Sequence, residues 1–329
     1  MKVSGVRGVI VAACLFSYLP LWAQNPNNPI QDGLLRWYQA NQATTFSPCG
    51  EPQGLAFDGV NMWVACGAAG TGPNNALVEL ASSDGSQVRT VLSVQDPYAL
   101  VYDGANIWAS NPNNGTVTEV RARDGVKLAT ISVGSRPMGM AFDGQYIWVA
   151  NNGTGSNSLS RIDPSTGSSV PYSLANCSQP WGVAFDGTNL WVACFSSNAV
   201  VEFSRTSLSV FAVVDVELFP TFVAFDGSNV WVSDFSSAKV STFPAANPPV
   251  PPTHAPTFPV GAGPYGVVFD TEYIWVANGG DNTVTKLLAT TGTNVATCTM
   301  PSGGLPVFVA SDGGNVWVSN TSGSTVSKC

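Results

Sequence analysis

Few residues in this 329-residue chain could do chemistry, and their types narrow the options at once. The sole histidine, His254, sits in the run Pro248-Pro249-Val250-Pro251-Pro252-Thr253-His254-Ala255-Pro256. A serine–histidine–aspartate relay would therefore have to rest on a stiff, polyproline-like projection. Acid–base work falls instead to carboxylates. Three of these, Glu51, Asp96 and Asp234, are the acidic residues best placed on one face of an internal repeat, the first two just before its proline and the third just after its tryptophan. Together with nearby asparagines they are the weak candidates for a calcium-type oxygen site, although no calcium-loop spacing is present. The cysteines form neither a CxxC nor a Cys/His zinc pattern. Cys49 and Cys66 lie 17 residues apart, as do Cys177 and Cys194, and both pairs hold the same places in the repeat. Two local disulfides are expected, each contributing about 3 kcal/mol in the chain-entropy model. Cys298 and Cys329 pair by elimination. No cofactor is expected.

What positions these residues is a repeat. Trp63, Trp108, Trp148, Trp191, Trp231, Trp275 and Trp317 recur at spacings of 45, 40, 43, 40, 44 and 42 residues. Each has an aspartate five positions before it (Asp58, Asp103, Asp143, Asp186, Asp226, Asp270, Asp312) and a proline eleven before it (Pro52, Pro97, Pro137, Pro180, Pro220, Pro264, Pro306). Such a period marks stacked units that bury their faces only against their neighbours. The stretch from Pro180 to Cys194, PWGVAFDGTNLWVAC, reads as a β-hairpin with an Asp-Gly turn. Alternating segments such as Thr116–Val120 and Ala129–Val133 add a third and a fourth strand. The first two strands are apolar on both faces, which radial stacking requires. The expected fold is all-β: a seven-bladed β-propeller of four-stranded antiparallel blades. The last unit stops after its third strand, so residues near Ala40 to Phe46 are expected to supply the missing outer strand and close the ring. Each tryptophan is expected to sit between blades, and each aspartate to cap the backbone of its turn.

The ends and the charge exclude several classes. Lys2 and Arg7 precede an apolar stretch, Gly8 to Trp22, that reads as a signal peptide cleaved near Ala23. Strong hydrophobicity continues past Cys14, which argues against a lipoprotein signal. The organisation is then residues 1–23 signal peptide, 24–37 leader and 38–329 propeller, exported to the periplasm or medium. Cleavage leaves 11 basic and 21 acidic residues, a net charge of −10. Nucleic acid is an unfavourable partner at that charge, and no later segment is long enough to span a membrane. A monomer is expected.

The motif Pro-x-Gly-x-Ala-Phe-Asp-Gly followed by Trp-Val-Ala-Asn resembles the YVTN and NHL-type bacterial β-propellers, including YncE-like proteins and the streptogramin B lyase group. The resemblance implies the fold directly and function poorly, because the matching residues build blades. It implies a ligand face made by the loops entering the innermost strands and leaving the second ones. On that face the variable residues after the prolines are Gln53, Tyr98, Met138, Trp181, Thr221, Tyr265 and Val307. Those ending the second strands include Asn111, Asn151, Asp234, Asn278 and Asn320. Aromatic rings beside amides suit a peptide, a glycan or an envelope component. The lyase group uses histidine with a metal, and no repeat core here contains one. The reading from sequence is therefore a secreted, non-catalytic binding propeller, with a metal-dependent lyase or lactonase at the same face as the alternative.

Overall fold

The computed structural model describes residues 44–70, 72–245, 255–301 and 303–329. The signal peptide, the leader and the proline run from Pro248 through His254 lie outside the described residues. Within them the chain forms seven four-stranded antiparallel sheets. Blade one comprises Pro52–Phe57, Asn61–Cys66, Ala76–Ala81 and Gln87–Leu92, and each later unit repeats the plan. Ring closure is as expected. Thr44–Phe46 pairs antiparallel with Thr325–Lys328, in the register Thr45 to Ser327 and Phe46 to Val326, as the outer strand of blade seven.

The repeated residues explain why the hairpins form. In every blade the aspartate Oδ1 accepts the backbone N–H groups two and three residues on, as Asp186 does from Thr188 and Asn189 at 2.7 Å. The other oxygen, Oδ2, accepts the tryptophan indole N–H at 2.6–2.8 Å in all seven blades. One carboxylate thus holds the turn and satisfies the only polar atom of a ring that is at most 7% exposed. That second bond was not legible as such, though the constant five-residue offset was its signature.

Opposite each tryptophan, the third strand carries Glu79, Glu119 or Glu202 in blades one, two and four. Blades three, six and seven carry Arg161, Lys286 or Lys328 there. The residue two before the tryptophan follows suit. Asn61, Asn106 and Asn189 donate to the glutamates at 2.6–2.9 Å. Tyr146 and Tyr273 instead offer ring faces to Arg161 and Lys286, at 4.5 and 3.6 Å.

Inner strands meet around the axis with little space between backbones. A Cβ on Gly54 would lie 2.4 Å from the Tyr98 carbonyl oxygen, and one on Gly182 2.6 Å from that of Thr221. Only glycine admits this approach, and it sets where the residues after the next blade's proline project.

Cys49–Cys66 and Cys177–Cys194 are disulfides. In blades three and six the corresponding pair is a glycine packed on an asparagine, Gly134 on Asn151 and Gly261 on Asn278. Cys298 and Cys329, the pair expected by elimination, lie together. They share one core cluster, and Cys329 hydrogen-bonds Cys298 strongly enough to draw the Cys298 thiol pKa down despite burial. Among the described residues no helix is long and apolar enough to cross a membrane. The two disulfides are consistent with an exported protein.

Candidate functional site

The loops entering the inner strands and leaving the second strands share one face, and hydrogen bonds tie them together. The residue after the second strand donates its N–H to the carbonyl of the residue before the proline: Gly67 to Glu51, Asn152 to Arg136, Phe195 to Gln179 and Phe235 to Phe219. In six blades that pre-proline residue is left-handed, with φ of 48° at Asp96, 53° at Arg136, 54° at Gln179, 59° at Phe219, 61° at Gly263 and 51° at Leu305. A position before proline normally favours extended backbone, so the turn is held by its surroundings. Arg136, Phe219 and Leu305 are exposed there. Sequence reasoning chose the residue after the proline as the variable lining position. The residue before it is the more exposed, and the proline itself was the signal that could have found it.

Of the positions after the prolines, the structure brings three together. The Tyr98 and Tyr265 hydroxyls hydrogen-bond at 3.3 Å, and the Trp181 indole N–H donates to the Tyr98 hydroxyl at 3.3 Å. Burial pushes both phenols above their ordinary range, and the Arg136 charge pulls each back. Both therefore stay protonated and can donate. Phe222 and Phe308 close the channel beneath, with the Tyr98 and Phe308 centroids 5.1 Å apart and those of Phe222 and Phe308 5.0 Å apart. Toward blades four to six an aromatic shelf continues. Trp181 meets Phe195 at 5.1 Å, Phe195 stacks on Phe219 at 4.8 Å, and Phe235 meets Tyr265 at 5.8 Å. Phe219 and Phe235 remain exposed, as does the adjacent Leu218. A plug of aromatics at the channel mouth is one reading of the sequence; the shelf is not legible there, because Phe195, Phe219 and Phe235 lie outside the one place, before the turn aspartate, where the repeat fixes phenylalanine.

Other candidates turn inward. Met138 and Val307 are buried, and the Thr221 hydroxyl bonds to that of Ser233 at 2.9 Å. Gln53 donates to Glu51 at 3.3 Å. Asn111, Asn151, Asn278 and Asn320 are buried, and each donates its amide to two hydroxyls of the third strand, as Asn320 does to Thr325 and Ser327. Asp234 takes the same place in blade five and accepts from Ser241 at 2.7 Å, while its Oδ1 has no partner. Burial raises its pKa to about 7, with the Glu217 charge adding to the rise.

Glu51 and Asp96 lie within electrostatic reach of one another. Burial and then the Glu51 charge raise the Asp96 pKa. Ala69 N–H donates to Glu51 at 2.9 Å. Among the described residues no three His, Cys, Asp or Glu side chains converge, so the residues present do not fit a resident divalent ion.

No family model matches the chain, and no curated protein matches it in sequence. Solved structures do match in fold. One is a streptogramin B lyase, 15% identical, TM-score 0.71, covering 87% of this chain and 96% of that one. Another is a catalytically inactive histidine-to-alanine variant of virginiamycin B lyase from Staphylococcus aureus with quinupristin, 15% identical, TM-score 0.72, covering 87% and 97%. A third is hydrazine synthase from Kuenenia stuttgartiensis, 17% identical, TM-score 0.71, covering 85% and 95%. These neighbours correct the expectation of a non-catalytic binding module. Propellers that match in fold bear enzyme names. The chain is a seven-bladed β-propeller similar in fold to the streptogramin B lyases.

Proposed function

We propose that this protein is an enzyme of the lyase class, acting at the channel mouth on an apolar, ring-bearing ligand that contains an ester or related linkage. One observation carries the reading: the Glu51 and Asp96 carboxylates, the exposed Arg136 and the hydrogen-bonded Tyr98, Tyr265 and Trp181 stand on the face that bears the aromatic shelf. An elimination needs three things. A base removes a proton beside a carbonyl, a cation holds the charge that develops, and an acid protonates the departing atom. In our reading Glu51 is the base, held by Gln53 and the Ala69 N–H. Arg136 faces the developing enolate, and Tyr265 returns a proton to the leaving oxygen. The C–H and C–O bonds break, a C=C bond forms, and no oxidant is consumed.

The similarity to streptogramin B lyases supports the choice of class and suggests quinupristin as the first probe. Purified protein would be incubated with quinupristin and the products analysed by mass spectrometry. Elimination opens a ring without changing the mass, whereas hydrolysis adds one water. Glu51→Gln and Arg136→Met should each lower kcat by about a hundredfold. Turnover that adds water, or turnover indifferent to Glu51→Gln, would refute the assignment.

A further inference from the structure

Away from the aromatic shelf, between blades one and two, the same face carries a cleft of about 470 Å³ lined by Asn74, Leu92, Gln95, Asp96, Asn113 and Asn114. Its composition is unlike the rest of the ring. Asn113 and Asn114 follow Trp108 by five and six residues, and the other blades place Ala68-Ala69, Gly153-Thr154, Ser196-Ser197, Ser236-Ser237, Gly280-Asp281 and Ser322-Gly323 there. The propeller does not need asparagines at these positions, since small residues serve elsewhere.

The amides are also pre-oriented. Asn114 Nδ2 donates to Gln95 Oε1 at 2.8 Å, and Asn113 Nδ2 donates to the Asp96 carboxylate. Asn74 spends its amide N–H on the Gly70 carbonyl at 3.1 Å, while its Oδ1 is buried without a partner. Asn113 and Asn114 each spend one amide N–H within the protein and keep a carbonyl oxygen to accept from a ligand and a second N–H to donate, and Gln95 keeps its own N–H groups to donate. Leu92, 63% exposed, adds an apolar wall.

We infer that this cleft is a saccharide-binding site for one or two neutral or amino-sugar rings, adjoining the channel mouth at Asp96. Hydroxyl groups both donate and accept, which matches a wall of amides, and a leucine suits the C–H face of a sugar ring. The volume lies in the range of small-molecule sites and well above what a bare cation requires. Asp96 and the neighbouring Glu51 repel an acidic sugar.

The test is isothermal titration and saturation-transfer NMR of the full-length protein with cellobiose, N,N′-diacetylchitobiose and glucuronic acid. At least one neutral or amino disaccharide should bind, with glucuronic acid about tenfold weaker or undetectable. Asn113→Gly with Asn114→Ser, which copies residues tolerated in other blades, should weaken binding by about tenfold or more, as loss of two hydrogen bonds implies. The inference fails if no disaccharide binds at millimolar concentration, or if the double variant binds undiminished. It also fails if calcium alone binds and the double variant abolishes that.

Discussion

Replacing Asp234 by asparagine should stabilise the protein, and only where that carboxyl would be ionised. Asp234 is fully buried, with one oxygen bonded to Ser241 and the other unpartnered. The nearby Lys239 is engaged by Glu217 at 2.7 Å. Burial raises the pKa from 3.8 to about 7. At 1.36 kcal/mol per pH unit, ionising the folded protein is about 4 kcal/mol less favourable than ionising the unfolded chain. The sign follows from proton binding. Between pH 4 and 7 the folded state holds the proton that the unfolded state has released, so stability falls as pH rises through this window and is lowest above pH 7. Asparagine cannot ionise, and blade seven shows that it fits, since Asn320 donates to Ser327 at 2.9 Å in the place equivalent to Ser241. For a domain this large each kcal/mol moves Tm by about 2 °C. Asp234→Asn should therefore melt about 8 °C above the parent at pH 8, and within about 2 °C of it at pH 4.5. Scanning calorimetry of both proteins across this range gives the comparison. A gap that stays constant with pH would mean that Asp234 is not the titrating group, and a lower Tm at pH 8 would refute the burial argument altogether.

Trp231→Phe strips the indole N–H from Asp226 and leaves its Oδ2 with only the longer bond from Asn229 Nδ2 at 3.2 Å; a loss of about 2–4 kcal/mol in urea unfolding is expected, and a loss below about 1 kcal/mol would remove the indole bond from the account of blade stability. Although burial opposes it, the Trp231 and backbone N–H bonds hold Asp226 below the ordinary aspartate pKa, as Trp317 and its turn do for Asp312. Their stabilisation is present above pH 4 and lost as acid protonates them, so Asp226→Asn should flatten the acid limb of the stability curve. In blade three, Arg161→Glu and Tyr146→Asn should each destabilise, whereas the double variant, which copies the Asn–Glu pairing of blade four, should recover about 1 kcal/mol or more; strict additivity in a double-mutant cycle would show that the two positions are not matched. Because Cys298 and Cys329 sit together, mild oxidation should join them, read as loss of two thiols without dimer formation; thiols that persist would show that the two side chains do not reach one another.

Blade count, phase and ring closure were legible in the chain because they depend on local chemistry repeated seven times. An aspartate caps its own turn, a tryptophan five residues on can reach the same carboxylate, and a proline leads into each inner strand. The two disulfides were legible for the same reason, each bridging two fixed points of one repeat. The candidate site was legible only as a face. Tyr98, Trp181 and Tyr265 come from blades two, four and six and meet over the channel, a result of circular closure that no local pattern encodes. Asn111, Asn151, Asn278 and Asn320 share a phase with the site, but their amides are drawn into the sheet by third-strand hydroxyls whose register is known only once the strands pair. Sequence by itself thus determined the repeat and its architecture, because each unit carries its own turn and cap. Which side chains face a ligand, which plug the channel and which carboxyl is buried at a cost were decided by tertiary structure, because burial and proximity across the ring exist only after all seven blades have closed.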